Sequence, residues 1–166
     1  MSRSTPGADP GGGAIPAVTI RALDASDIGP LRELLGLFGD VFDDAATYHS
    51  AQPDDAYLSR LLASGTFIAI GAWQGTLAVG ALAAYVLPKF EQARSEIYIY
   101  DLAVAESHRR QGIATGLIDQ TRRIAVARGA YVIFVQADHG DEPAIALYTG
   151  LGTREDVLHF DIRPAE

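Results

Sequence analysis

The chain reads as an α/β protein built on one mixed sheet. Three observations predict this. Apolar runs of strand length alternate with stretches whose apolar residues recur at helical spacing, in the order β–α–α–β–β–β–α–β–α–β. Two of the strands follow each other across a Gln74-Gly75 pair, the signature of an antiparallel hairpin. The second half contains strand–helix–strand units, which imply parallel pairing there.

Each element has its own signal. Residues 1–16 are rich in Gly, Pro, Ser and Asp around Gly11-Gly12-Gly13, and read as a disordered leader ahead of a single domain over residues 17–166. Val18 to Leu23 is a first strand. Ser26 or Asp27 can cap the helix that follows, with Leu31, Leu34, Leu35 and Phe38 as its apolar stripe. Gly39 to Ser50 reads as a polar, acidic loop with Asp40, Asp43 and Asp44. Pro53-Asp54-Asp55 opens a second helix carrying Tyr57, Leu58, Leu61 and Leu62.

Thr66 to Pro88 carries no charge over a length that would span a membrane. The turn-like pair divides it into FIAIGAW and TLAVGALAAYV, so the hairpin is the better reading. Continuous apolar strands fit a sheet covered on both faces. Glu96 to Val104 is a strand of β-branched and aromatic residues. Ala105 to Gln111 is a polar turn. Gly112 to about Arg128 is a helix burying Ile113, Leu117, Ile118, Ile124 and Ala125, and Gly129 stops it. Tyr131 to Val135 is a strand, and Pro143 begins a short helix to Tyr148. Val157 to Ile162 is expected to be the last strand.

Composition removes several classes of function. The 166 residues hold 13 Lys plus Arg against 21 Asp plus Glu, a net charge of −8. Phosphate-neutralising nucleic-acid binding needs the opposite sign. An acidic chain suits a cationic substrate or partner, although solubility is the commoner reason for net charge. There is no cysteine, which excludes disulfides, Cys-ligated zinc, iron–sulfur clusters and a cysteine nucleophile. The four histidines show no ligand spacing, and no metal is expected. There is no Gly-x-Ser-x-Gly elbow. No apolar segment follows Arg3 as a secretory signal would require, so a cytoplasmic location away from membranes is expected.

The stretch Arg109-Arg110-Gln111-Gly112-Ile113-Ala114 sits directly after a strand and opens a helix. A helix start presents free N–H groups and partial positive charge. Gly112 permits close backbone approach, Ala114 is small, Thr115 adds a hydroxyl, and the two arginines add charge. These are the parts of a pyrophosphate cradle. The stretch is neither a Walker A loop nor the dinucleotide fingerprint.

Arg-x-x-Gly-x-Ala after a strand resembles the acetyl-CoA motif of the GNAT N-acetyltransferase superfamily, and AIALYTGLG resembles that superfamily's second cofactor segment. The resemblance runs from about Val18 to Ile162. It implies a mostly antiparallel central sheet with helices on both faces and a splayed parallel pair of strands at the acetyl-CoA site. Longer strings, YVLPKFEQ from Tyr85, EIYIYDLAV from Glu96, HRRQGIAT from His108, VQAD from Val135 and LHFDI from Leu158, are similar to the gentamicin-type aminoglycoside 3-N-acetyltransferases. That resemblance implies direct acetyl transfer from acetyl-CoA to the 3-amino group of a deoxystreptamine antibiotic, a cationic partner. It is also compatible with a homodimer. A GNAT enzyme for another amine, such as a polyamine or a protein N-terminus, and a non-catalytic acetyl-CoA-binding module are the rival readings.

The superfamily resemblance also implies residue roles. Leu102, Ala103 and Val104 stand on the strand whose backbone meets the pantetheine arm and the thioester oxygen; a preplaced N–H at a developing oxyanion is worth about 3 kcal/mol. Gln111, Gly112, Ile113, Ala114 and Thr115 hold pyrophosphate by main-chain N–H groups, assisted by Arg109 and Arg110. Tyr148 aligns with the tyrosine near the coenzyme sulfur. It either protonates the departing thiolate or hydrogen-bonds to it; with reference pKa values near ~10 and ~8.5, full transfer is uphill by about 2 kcal/mol.

Asp101 asks for a reason of its own, because aspartate is unfavourable inside a strand. A carboxylate there can bind a substrate ammonium and take its proton. Asp138, beyond the carboxyl end of the next strand, is the second candidate acceptor, with Glu142 beside it as a further substrate ligand. Tyr100 is expected to line the acceptor site or to pack in the core, as is Tyr98.

Overall fold

The computed structural model describes residues 17–165, so the expected leader lies outside the described residues. The elements, in order, are β1 (Val18–Ala22), α1 (Ile28–Phe42), α2 (Ala45–Tyr48), α3 (Asp55–Ala63), β2 (Phe67–Gln74), β3 (Leu77–Pro88) and β4 (Ser95–Val104). They continue with a 3-10 turn (Glu106–His108), α4 (Ile113–Ala127), β5 (Ala130–Val135) and α5 (Glu142–Thr149). The sheet order is β1-β2-β3-β4-β5; the first four strands pair antiparallel and β5 joins β4 in parallel.

The uncharged run is the hairpin β2–β3, turning at Gly75-Thr76 with Gln74 opposite Leu77. Gly75 has φ 62°, the left-handed conformation that tight hairpins require. The run is uncharged because both its faces are covered. On one side, Ile113, Leu117, Ile118 and Ala125 of α4 pack with Ile68, Ile70, Val79, Ile97 and Ile99. On the other, α1 sets Leu34 and Phe38 on Ala81 and Ala103, and Leu31 meets Leu58 of α3 and Ala69. The small residues on that second face let the helices lie close. Among the described residues, no helix is long and apolar enough to cross a membrane.

Three expectations need correction. First, α1 runs on to Phe42 and a one-turn helix, α2, follows, where a loop was expected from Gly39. Phe38 and Phe42 stack at 5.7 Å, and both meet the Tyr48 ring at 5.8 Å. This aromatic group continues the buried stripe through the acidic stretch. Second, Asp27 stands at the N-cap of α1 but its side chain does not cap the helix; it forms an ion pair with Arg21 at 2.7 Å and accepts from the Asp24 amide. Third, Val157–Ile162 forms no strand and lies exposed. Its alternation has a strand's period, but its backbone pairs with no strand among the described residues.

Gly80 of β3 sets how closely the start of α4 approaches the sheet. A Cβ there would lie 2.7 Å from Ile113 Cγ2 and 3.2 Å from Ala72 Cβ. Gly80→Val is therefore expected to force α4 outward and to cost about 1–3 kcal/mol of stability, measured by urea denaturation.

Candidate active site

The site begins with an irregularity in β4. Ile97 and Ile99 enter the core beneath α4. The register then shifts: Ala84 faces Ile99 while Ala83 faces Asp101, leaving Tyr100 as the extra residue of a β-bulge. Beyond it the alternation is reversed. Leu102 and Val104 pack on the α4 side, and Ala103 is buried on the α1 side. Asp101 is thereby aimed at the α1–α2 side; in a regular strand it would share the face of Ile97 and Ile99.

There Asp101 accepts a hydrogen bond from the Tyr48 hydroxyl at 3.1 Å. Half-burial pushes the carboxyl above its ordinary value, and the Tyr48 bond pulls in the other direction. Tyr48 itself is raised far above an ordinary phenol by burial and then by the Asp101 charge. Its backbone is held by Gln52 Nε2, which donates to the Tyr48 carbonyl at 2.8 Å. Tyr48 lies inside the expected acidic loop and was not singled out from the sequence. The available signal was its aromatic spacing from Phe38 and Phe42.

The bulge also exposes a row of rings on the same face. Phe67 meets Tyr85 at 5.4 Å, Tyr85 meets Tyr100 at 5.9 Å, Tyr100 meets Tyr98 at 5.7 Å, and Tyr98 stacks on Phe134 of β5 at 4.8 Å. Tyr100 is 60% exposed and does not pack in the core. The Tyr98 hydroxyl donates to Gln136 at 2.9 Å. A cavity of about 150 Å³ lies between α1, α3 and the sheet, and Phe38, Tyr57, Tyr85 and Asp101 help to line it. A larger one of about 440 Å³ lies at the opposite end of β4 around Ser95 and includes none of the candidate residues.

The β4–β5 ladder ends at Ile99 opposite Val135. From Tyr100 to Val104 the β4 edge has no strand beside it on that side among the described residues. The chain then turns into α4. Arg109 Nε donates to the Val104 carbonyl at 3.4 Å. Arg110 and Gly112 both adopt positive φ, 62° and 79°. Positive φ is rare for a residue such as arginine, and here it brings successive amides into a concave nest. No side chain caps α4, and the amides of Gln111, Gly112, Ile113, Ala114 and Thr115 find no acceptor among the described residues. A Cβ on Gly112 would meet nothing within 4 Å, so the nest is open. Unpaired donors, a helix N-terminus and two exposed arginines fit a pyrophosphate.

The remaining candidates separate. Tyr148 of α5 packs against the core beneath α4, and burial, followed by the charge of Asp141, pushes its phenol up. Asp138 and Glu142 are exposed, and their carboxylates bond to no described residue. Asp141, between them in the chain, caps α5 by accepting from the Ala144 amide. Of the acidic loop residues, Asp44 caps α2 and Asp40 meets His49 at 3.2 Å. Among the described residues, no group of three potential ligands could hold a metal.

The family model described as acetyltransferase (GNAT) family matches residues 33–153. An aminoglycoside acetyltransferase from an uncultured soil metagenomic sample is 54% identical, with 90% of this chain and 99% of that one covered at a TM-score of 0.88. Another from an uncultured soil metagenomic sample, solved in complex with sisomicin, is 31% identical over 89% and 97% of the chains at a TM-score of 0.81. A ribosomal-protein-alanine N-acetyltransferase from Brucella melitensis biovar Abortus 2308 is 26% identical over 90% and 100%, at 0.67. No curated protein matches the chain.

The setting of Asp101 has a signed consequence for stability. Its folded pKa is raised, so the charged form costs stability above that value, and the cost disappears below the unfolded value of about 3.9. Asp101→Asn is expected to be more stable than the parent near pH 7 and to lose that advantage below about pH 4, read from urea denaturation at both pH values.

Proposed function

The chain belongs to the GNAT acetyltransferase family, and on that premise we propose that it acetylates the 3-amino group of a deoxystreptamine aminoglycoside. The observation that carries this reading is Asp101: a half-buried carboxylate re-aimed by a bulge and held by Tyr48 where β4 parts from β5. The relatives named as aminoglycoside acetyltransferases support the substrate class. The strings around Tyr85, Glu96 and His108 support the 3-amino position.

Acetyl-CoA supplies an acetyl group activated as a thioester. The amides of Gln111 to Thr115 hold its pyrophosphate, with Arg109 and Arg110 adding charge. The free β4 edge from Leu102 to Val104 offers main-chain groups to the pantetheine arm and the thioester oxygen. The acceptor amine arrives as an ammonium ion, and only its neutral form has a lone pair for attack. Asp101 binds the ammonium and takes its proton, a task for which a raised pKa is suited. Tyr148 acts as a hydrogen-bond donor to the departing sulfur. Its raised pKa widens the gap from a thiol, so complete proton transfer from Tyr148 is disfavoured.

The 150 Å³ cavity is smaller than the 300–1,000 Å³ typical of drug-sized ligands. One amine-bearing edge of the antibiotic therefore enters beside Asp101, and the other rings lie over the open aromatic row. Asp138 and Glu142 are the exposed carboxylates placed to meet its further ammonium groups. Such chemistry fits a cytoplasmic enzyme, where acetyl-CoA is made.

Thiol release from acetyl-CoA is expected with gentamicin, with the acetyl group on N3 of the product. Release only with spermidine or an alanine-terminated peptide would overturn the substrate while keeping the family. Asp101→Asn is expected to lose about 10²–10⁴-fold in kcat while still binding acetyl-CoA; unchanged turnover would remove Asp101 from the mechanism. Tyr48→Phe removes the bond that lowers the Asp101 pKa, so the acidic limb of the kcat/KM profile is expected to move to higher pH.

A further inference from the structure

We propose that Arg32 and Gln52 are positioning residues: they hold Tyr48 against Asp101 through a chain of hydrogen bonds that runs from α1 to β4. Their importance to acetyl transfer rests on the reading of Asp101 as the proton acceptor, and extends it to side chains two and three links away from the carboxylate.

Arg32 Nη1 donates to Gln52 Oε1 at 2.8 Å, and Gln52 Nε2 donates to the Tyr48 carbonyl at 2.8 Å. The Tyr48 hydroxyl then donates to Asp101 Oδ2 at 3.1 Å. The two partners of Gln52 fix which way its amide points. A guanidinium only donates and a carbonyl only accepts, so the amide oxygen faces Arg32 and the nitrogen faces Tyr48. The other Arg32 nitrogen, Nη2, donates to the Pro53 carbonyl at 3.0 Å and to Asp55 Oδ1 at 2.6 Å. One guanidinium therefore clamps the connection between α2 and α3 at three points.

Tyr48 needs such a hold. It ends α2, a helix of four residues with none buried, and a single turn does not sustain itself. The Tyr48 carbonyl accepts no backbone N–H among the described residues, so the Gln52 side chain supplies the partner that a helix end lacks. A Cβ on Gly39 of α1 would lie 3.1 Å from Tyr48 Cβ, so Tyr48 rests directly on α1. Contacts with Phe38 and Phe42 cover its ring, but the backbone sets how far its hydroxyl reaches. At 3.1 Å the bond to Asp101 is longer than the ~2.5–2.7 Å of a strong hydroxyl–carboxylate bond, so a small outward drift of α2 breaks it.

Stability alone is a poor reason for the clamp. The Asp55 side chain is 76% exposed, and an exposed ion pair contributes little. Nor does Arg32 act on Asp101 by charge, because burial and the Tyr48 bond are what move that carboxyl. The other titratable groups around the pair are Asp44 at the start of α2, Tyr57 of α3, Tyr85 of β3, and Tyr98 and Tyr100 of β4. The bonds of Arg32 and Gln52 go to none of these. The influence of Arg32 on the carboxylate passes through the position of Tyr48.

Two variants separate the links. Gln52→Glu keeps an acceptor for Arg32 but removes the donor to the Tyr48 carbonyl. Arg32→Lys keeps the charge but loses the planar fork. On the full chain, heteronuclear NMR follows the Asp101 carboxyl titration, its signal assigned by its absence in Asp101→Asn. The kcat/KM profile with gentamicin and acetyl-CoA follows the acidic limb. Both variants are expected to move both readouts to higher pH, as Tyr48→Phe does, with kcat lower by no more than about 10²-fold and KM for acetyl-CoA unchanged. Adding Gln52→Glu to Tyr48→Phe is expected to move neither further, because the bond it acts through is already gone. A Gln52→Glu or Tyr48→Phe chain whose carboxyl titrates like the parent's would overturn the proposal. So would a further rise in the double variant, since the new charge would then be acting on Asp101 directly. A carboxyl titration that moves while the kinetic limb stays still would establish the hold on Tyr48 and overturn Asp101 as the proton acceptor. In a chain that does not acetylate gentamicin, the carboxyl titration decides alone. If Arg32→Lys fails to fold, Gln52→Glu decides.

Discussion

The candidate site depends on one extra residue in β4. A regular strand would keep Asp101 on the face of Ile97 and Ile99, beneath α4, where an ionised carboxylate among isoleucines has no partner. With Tyr100 inserted, Asp101 meets the Tyr48 hydroxyl and the cavity between α1, α3 and the sheet. The same insertion sets Tyr100 beside Tyr98 and Tyr85 and returns Leu102 and Val104 to the α4 core. One local irregularity thus places the carboxylate, the aromatic row and the free strand edge in a single neighbourhood.

The donor side follows from where the β4–β5 ladder stops. Parallel pairing brings β5 alongside only as far as Val135. The β4 backbone beyond it has no strand on that side among the described residues, and the chain continues through Arg110 and Gly112 into α4. α4 is fixed from below by Ile113 and Leu117, which are buried against Gly80 and Ala72. Core packing therefore holds the nest of amides in position relative to Asp101. The two halves of the site are coupled through the sheet without touching each other.

The elements legible in the sequence are those whose periodicity reports local burial. The hairpin, α4 and the strand from Ser95 show their faces directly, because most of their apolar residues meet the core that their spacing implies, with Leu77 and Val126 among the exceptions. The Arg109–Thr115 stretch was legible as a nest because glycine at a helix start has a conformational meaning. Tyr48 was not, because its partner Asp101 is distant in the chain and the bulge shows in EIYIYDLAV only as a charged residue in the phase of Ile97 and Ile99. The strand expected at Val157–Ile162 shows the complementary failure. Its alternation has a strand's period, but a pattern cannot supply the pairing that makes a segment a strand. The continuation of α1 past Gly39 was hidden by its acidic residues, while Phe38, Phe42 and Tyr48 formed the contacts that extend it.

The nest before α4 presents main-chain atoms, whereas the Asp101 side presents side chains. This divides the chain into parts with different tolerance for drift. At Gln111, Ala114 and Thr115 the amide persists through almost any replacement, so a lineage can change those letters and keep the nest. At Gly112, with φ 79°, it cannot do so freely, because the nest requires that backbone angle. Around Tyr48, Tyr85 and Tyr100 every substitution alters the side-chain surface beside Asp101. Selection for a new acceptor would therefore leave its record in the α2 and β3–β4 side chains, and little trace in the turn before α4.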